Sequence, residues 1–251
     1  FPITEDVLKE VQKKEKNAIA EIKQSIKDNP YDIAAIIIEP IQGEGGDNHF
    51  RDEFMSELRQ ICDENEIMFI MDEVQTGVGI TGKWWAHEHF SSKPDIISFG
   101  KKTQVCGMLV SKRVNEVDKH VFAESSRINS TFGGNLTDMV RFQMILEIIT
   151  HENLLDNAKN MGNDLIKELE NLTMEFPAFI TNARGKGLFA AFDMPSQVER
   201  DNLISKLLEN KLIMLPSGDQ SIRFRPHLNV TEADLNRALE ILQTTIKSIL
   251  N

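Results

Sequence analysis

An acid and a lysine delivered to one pocket can hold a cofactor that needs both, and this chain offers such a pair. Asp72 follows the apolar run Ile67 to Met71 and opens Asp72-Glu73-Val74-Gln75-Thr76-Gly77. Lys101 follows the run Asp95 to Phe99 after a single Gly100. A third run, Ala34-Ala35-Ile36-Ile37-Ile38, ends in Glu39-Pro40 and leads to Gly43-Glu44-Gly45-Gly46. In open α/β sheets, ligands bind in the crevice beyond the carboxyl ends of the strands. Glu44, Asp72, Gln75 and Lys101 are therefore expected to face one pocket. Pyridoxal phosphate (PLP) makes the matching demand: its aldehyde needs a lysine amine, and its pyridine nitrogen needs a carboxylate to stay protonated. Lys101 is expected to meet the first need and Asp72 the second. Singly, an Asp after a strand is most often a turn residue and a Lys a solvated one; the combination carries the reading.

These groups need an α/β frame. Continuous apolar runs suit strands buried on both faces of a parallel sheet, predicted at 34–39, 67–71 and 95–99, with a fourth strand over 106–110. Helices are predicted over 5–28 and 51–64 from the recurrence of apolar residues at helical spacing. The alternation is the signature of an α/β layer. Further on, helices are predicted over 136–149, 154–172 and 196–209, and strands over Gly187 to Asp193 and Ser221 to Arg225. A last helix opens at Thr231-Glu232-Ala233-Asp234, which resembles a capping box. The reading is a PLP-binding region over 1–150 and a smaller α+β domain over 151–251.

Three segments carry a resemblance. Glu39-Pro40-Ile41-Gln42-Gly43-Glu44-Gly45-Gly46, Asp72-Glu73-Val74-Gln75-Thr76-Gly77 and Pro94-Asp95-Ile96-Ile97-Ser98-Phe99-Gly100-Lys101 resemble, in order and in register, motifs of the class III (ω-) aminotransferases of PLP fold type I. The resemblance implies that the chain is part of the large domain of that fold, with its parallel-rich sheet, followed by the small C-terminal α+β domain. It implies that Lys101 is the Schiff-base lysine and proton shuttle, with Lys102 the neighbour excluded by the motif's register. It implies that Asp72 pairs with the pyridinium nitrogen, Val74 packs on the ring and Gln75 bonds the phenolic oxygen. Thr131, in Ser130-Thr131-Phe132-Gly133-Gly134-Asn135, resembles the threonine that reaches the cofactor phosphate of a neighbouring subunit, which implies a homodimer.

Arg223, in Ser221-Ile222-Arg223-Phe224-Arg225-Pro226, resembles the arginine that grips a carboxylate of glutamate or 2-oxoglutarate. Along a strand Arg223 and Arg225 point the same way, so spacing leaves both open while the family register favours Arg223. Glu44 resembles the acidic gate that pairs with this arginine when an ω-amine is bound. The segments 100–107, 127–138 and 221–226 are similar to the lysine 6-aminotransferase branch. The implied substrates are lysine or another ω-amine, with 4-aminobutyrate and ornithine as alternatives, and 2-oxoglutarate. Asn129 is an expected substrate contact from the partner subunit.

Composition excludes other classes. The 251 residues carry a formal net charge of −11, which opposes a nucleic-acid or anionic-membrane surface. The longest apolar run, Ile33 to Ile38, is far too short to span a bilayer. Two cysteines, Cys62 and Cys106, cannot staple a domain and suit a reducing, cytoplasmic setting; Cys106 is expected to be a packing residue. His87-Glu88-His89 lacks a third ligand at metal spacing and is expected to be solvated. The family's phosphate loop, ring-stacking aromatic and a further arginine precede the position of Phe1, so the chain is expected to belong to a longer polypeptide.

Overall fold

In the computed structural model, which describes residues 5–128, 131 and 133–250, two four-stranded sheets are flanked by helices. The first contains β1 (Ala35–Ile38), β2 (Met68–Asp72), β3 (Ile96–Phe99) and β4 (Gly107–Val110), in that spatial order. β1, β2 and β3 are parallel, and β4 returns antiparallel to β3. Helix α1 (Glu5–Asp28) precedes β1, and α2 (Asp52–Glu64) forms the crossover from β1 to β2. Acids in the first turn of each helix, Glu5 and Asp6 in α1 and Asp52 and Glu53 in α2, complement the positive end of the helix dipole.

α2 buries Phe54, Met55, Leu58, Ile61 and Cys62 against Phe69 and Met71 of β2 and Ile19 of α1. The polar anchor of this layer is Asp95, just before β3. Its Oδ2 accepts from the Phe69 backbone N–H at 2.9 Å, from Arg59 Nη1 at 2.8 Å and from Arg113 Nη1 at 2.9 Å. A buried carboxylate so satisfied fixes where β3 starts relative to β2.

The second half contains α3 (Leu136–His151), α4 (Leu154–Glu175), β5 (Thr181–Lys186), β6 (Phe189–Asp193), α5 (Gln197–Glu209), β7 (Leu215–Ser217), β8 (Ser221–Phe224) and α6 (Glu232–Leu250). Its sheet is antiparallel, in the order β5-β6-β8-β7. Leu165, Leu169, Phe192, Leu203, Ile222 and Leu242 form its core. At the start of α6, Asp234 N donates to Thr231 Oγ1 at 3.2 Å and Thr231 N donates back to Asp234 Oδ2 at 3.3 Å, so the expected capping box forms.

Several expectations need correction. β1 is not buried on both faces: it lies at the edge of its sheet and alternates between exposed and half-buried residues, with Ile37 63% exposed. Gly187 is not a strand residue. It has φ +57° in the turn between β5 and β6, and β5 and β7 themselves are additional strands. Cys106 is exposed, and Cys62 is the buried cysteine. His87 and His89 are half-buried and partnered rather than solvated. His87 Nδ1 lies 2.9 Å from Glu73 Oε1, and His89 Nε2 lies 3.1 Å from Thr81 Oγ1. No described helix is long and apolar enough to cross a membrane.

Candidate active site

A cavity of about 790 Å³ opens between the two sheets, lined by residues from both halves of the chain. The first half contributes Glu44, Gln75, Lys101 and Lys102, and the second contributes Arg223 and Arg225. Apolar walls come from Val78, Ile80, Ile145, Ile148, Leu215 and Leu228. The strand-end logic therefore brings together Glu44, Gln75 and Lys101. Asp72 and Val74 lie on the same loop but not on the cavity wall.

Lys101 begins a single 3-10 turn, Lys101–Thr103, between β3 and β4. Its φ is +54°, a left-handed conformation that costs a non-glycine residue free energy. The lysine is exposed, and its carbonyl oxygen accepts from the Gln104 backbone N–H at 2.9 Å. Lys102, next in the chain, points elsewhere: its Nζ donates to the Gln75 carbonyl oxygen at 2.5 Å. Burial, followed by the charges of Arg225 and Lys101, pulls its pKa down to about 8. Lys102 thus ties the β3–β4 turn to the loop after β2, and Lys101 is the lysine left to act.

Asp72, the last residue of β2, accepts from the Val74 backbone N–H at 3.0 Å through Oδ1. That bond is the ordinary turn role of an Asp, and it leaves Oδ2 for other work. Val74 packs toward Gly100, where an added Cβ would sit 3.6 Å from a Val74 methyl. Gln75 lies over Gly43, where a Cβ would come within 2.6 Å of its amide and displace it from this position. Glu73, between these residues, is 1% exposed. Its carboxylate accepts from the Ala86 and His87 backbone N–H groups at 2.6 and 2.8 Å and from Thr76 Oγ1 at 3.0 Å. It braces the loop from inside. Sequence reading missed this role, although an acid directly after Asp72 at the end of a buried strand was a signal for it.

The two arginines of β8 separate by environment. Arg223 Nη2 lies 2.8 Å from Glu44 Oε2, while its Nε and Nη1 are buried with no hydrogen-bond partner. Glu44 is exposed at its end of the pair, with 77% of the side chain open. Arg225 is instead committed: it pairs with buried Asp47 and lies over the Phe189 ring, its guanidinium carbon 3.3 Å from the centroid. Burial pulls its pKa down to about 10, against the opposing charge of Asp47. Two unpartnered donors on Arg223, against Nε alone on Arg225, favour Arg223 as the group for a substrate carboxylate.

Thr131 is exposed and does not line this cavity, and Asn129 lies outside the described residues. Among the described residues no group of three or more His, Cys, Asp or Glu is placed to hold a metal ion. The donor set fits pyridoxal phosphate: an exposed amine on the wall, a carboxylate at the end of β2, a side-chain amide beside them, and a carboxylate-binding cation opposite.

A parallel-rich sheet ending in this set defines a PLP-dependent transferase of fold type I. The sequence matches the family described as aminotransferase class-III over residues 1–246, and the chain belongs to it. It is 46% identical over 232 residues to an L-lysine-epsilon aminotransferase of Mycobacterium tuberculosis, covering 92% of this chain and 52% of that protein. It is 37% identical over 251 residues to a 4-aminobutyrate aminotransferase of Dictyostelium discoideum, covering 99% of this chain and 49% of that protein. The solved lysine aminotransferase from M. tuberculosis superposes with a TM-score of 0.92 at 46% identity, over 94% of this chain and 54% of that one. The chain spans about half the length of the curated relatives it matches.

Proposed function

We propose that the protein containing this chain transfers the ε-amino group of L-lysine to 2-oxoglutarate, giving a semialdehyde and glutamate. The observation that carries the reading is the Arg223–Glu44 pair lining the same cavity as Lys101. A transaminase must admit an amine and a dicarboxylate in turn, and a carboxylate-binding arginine with its own removable counter-ion serves both. The greater identity to lysine than to 4-aminobutyrate aminotransferases supports the choice of donor.

When bound, PLP supplies an electrophilic aldehyde carbon and an electron-withdrawing ring. Lys101 Nζ holds the cofactor and moves the proton at the substrate carbon that bears nitrogen. The Asp72 carboxylate keeps a proton on the ring nitrogen. Val74 packs against the ring face and Gln75 donates to its phenolic oxygen. With an ω-amine bound, Glu44 neutralises Arg223. With 2-oxoglutarate bound, Glu44 swings to solvent and Arg223 takes the carboxylate with the Nη2 that Glu44 releases. The reading includes a homodimer, in which Thr131 serves the neighbouring copy's cofactor phosphate and Asn129 its substrate. The exposure of Thr131, away from its own chain's cavity, supports that arrangement. It also includes a small domain beginning near residue 151 and a cytoplasmic setting.

The test uses the full-length holoenzyme. Borohydride reduction should leave a pyridoxyl label on Lys101, and lysine with 2-oxoglutarate should yield glutamate faster than 4-aminobutyrate or ornithine does. Label on Lys102 alone, or equal turnover without a keto acid, would overturn the assignment.

A further inference from the structure

Glu44 and Arg223 sit on different sheets' loops and strands, 179 residues apart in sequence by their numbers, yet they must keep a fixed separation for their pair to open and close. The loop carrying Glu44 closes on itself through local bonds, among them Gly43 N–H to Glu39 Oε2 and Asp47 N–H to the Gly43 carbonyl, and the second half of the chain anchors its backbone from outside. Ser217 Oγ donates to the Gly43 carbonyl oxygen at 2.6 Å, and the Gly218 backbone N–H donates to that of Glu44 at 2.9 Å. Arg184 Nη2 donates to the Gly46 carbonyl oxygen at 2.6 Å and its Nε to that of Asp47 at 2.9 Å.

Arg184, on β5, is 6% exposed. Besides the two loop carbonyls it reaches Asn182 O at 2.8 Å, Asp193 Oδ1 at 2.8 Å and Ser221 Oγ at 2.8 Å. Four hydrogen bonds and one ion pair engage all three guanidinium nitrogens of the fork. Ser221 begins β8, two residues before Arg223. One buried side chain therefore holds the loop of the acid and the strand of the base.

We propose that Arg184 is a positioning residue of the Glu44–Arg223 gate, setting how readily Glu44 covers the arginine and thereby the balance between amine and keto-acid substrates. The proposal rests on the reading that Glu44 and Arg223 form that gate. β8 is also held by ladders to β6 and β7 on its two sides, whereas the 43–47 loop has no ladder. Loosening Arg184 therefore falls on Glu44 first. Arg223 left uncovered still binds a dicarboxylate but repels the cationic end of an ω-amine.

The experiment is a double-mutant cycle in the full-length holoenzyme with Arg184→Lys and Glu44→Gln, measuring kcat/KM separately for lysine and 2-oxoglutarate. Lysine keeps the charge but cannot span both carbonyls. We expect Arg184→Lys to lower kcat/KM for lysine about tenfold, as misplacement of a supporting group does, with less than about threefold change for 2-oxoglutarate. Glu44→Gln should give the same split, and Arg184→Lys should add nothing in the Glu44→Gln background, because both act through one contact. Equal losses in both half-reactions, or effects that multiply in the double variant, would overturn the positioning role and leave the gate intact. A Glu44→Gln variant without the split would instead overturn the gate reading itself. Should Arg184→Lys fail to fold, Ser217→Ala removes a neighbouring loop anchor: the same split supports the clamp, and unchanged selectivity overturns it.

Discussion

All five residues of β6 are buried, whereas β1 alternates between exposed and half-buried positions and β4 has two exposed residues in its middle. The second sheet closes its own core between α4, α5 and α6. The first sheet packs against α1 and α2, yet large apolar groups of its own β1 and β4 stay open: Ile37 at 63%, Met108 at 49% and Leu109 at 45% exposed. Helix α3 buries only Ile149 and leaves Leu136, Val140, Met144 and Ile148 48–78% exposed. The difference teaches that apolarity in a sequence reports the cover an element is built for, not the cover one chain provides. The active-site cavity lies at the seam, with its lysine from the open region and its arginine from the closed one.

That division of labour can be broken. Lys101, from the first region, should serve both half-reactions. Lys101→Ala in the holoenzyme is expected to lower turnover with either substrate by at least about 10³-fold, read by stopped-flow absorbance. Retention of one half-reaction would mean another base.

Packing contrasts the regions more directly. Phe192→Ala, at a fully buried site of the second core, should cost about 3–5 kcal/mol. Ile37→Ala in the same 251-residue chain should stay within about 0.5 kcal/mol. Denaturant melts compare them, and an equal cost at Ile37 would show that β1's open face is covered in solution.

Arg223, from the closed region, should matter for one substrate. Arg223→Ala is expected to raise KM for 2-oxoglutarate on the order of 100-fold with a much smaller change for lysine. Arg225→Ala should instead lower stability, since it strands buried Asp47. Were the two results exchanged, the assignment of the β8 arginines would be reversed.

The mildest effect tests the seam by pH. Burial first, and then the charge of Arg184, lowers the His49 pKa to about 3; burial, then Lys186, lowers that of His89 to about 4. Both imidazoles are neutral in the folded protein over a range where the unfolded chain protonates them, from about 6.5 downward. Stability is therefore full above pH 6.5 and falls as pH drops toward 4. At pH 5.5 the loss from His49 should be on the order of 1 kcal/mol, and His49→Gln should flatten the thermal-melt profile.

Much of the frame was legible in the sequence. The run at 67–71 announced β2 through unbroken apolarity, the run at 95–99 announced β3 through apolar residues that follow Asp95 and are interrupted only by Ser98, and Thr231-Glu232-Ala233-Asp234 announced the start of α6 through local capping chemistry. β5 and β7 were not legible. Thr181–Lys186 reads TNARGK, with no apolar alternation, and Leu215–Ser217 is three residues long with a proline; both are strands because β6 and β8 offer them ladders.

Within the site, the sequence by itself determined which residues stand at the strand ends: Glu44, Asp72, Gln75 and Lys101 follow from local pattern and motif register. Only the tertiary structure separates the environments of Arg223 and Arg225, because Arg225 meets Asp47 and Phe189, distant in the chain. It alone placed Lys102 on the Gln75 carbonyl and Arg184 across two loop carbonyls. The physical reason is the same in each case. Strand ends are written in short-range apolarity, but the partner that satisfies a buried charge is chosen by three-dimensional proximity, which no local pattern encodes.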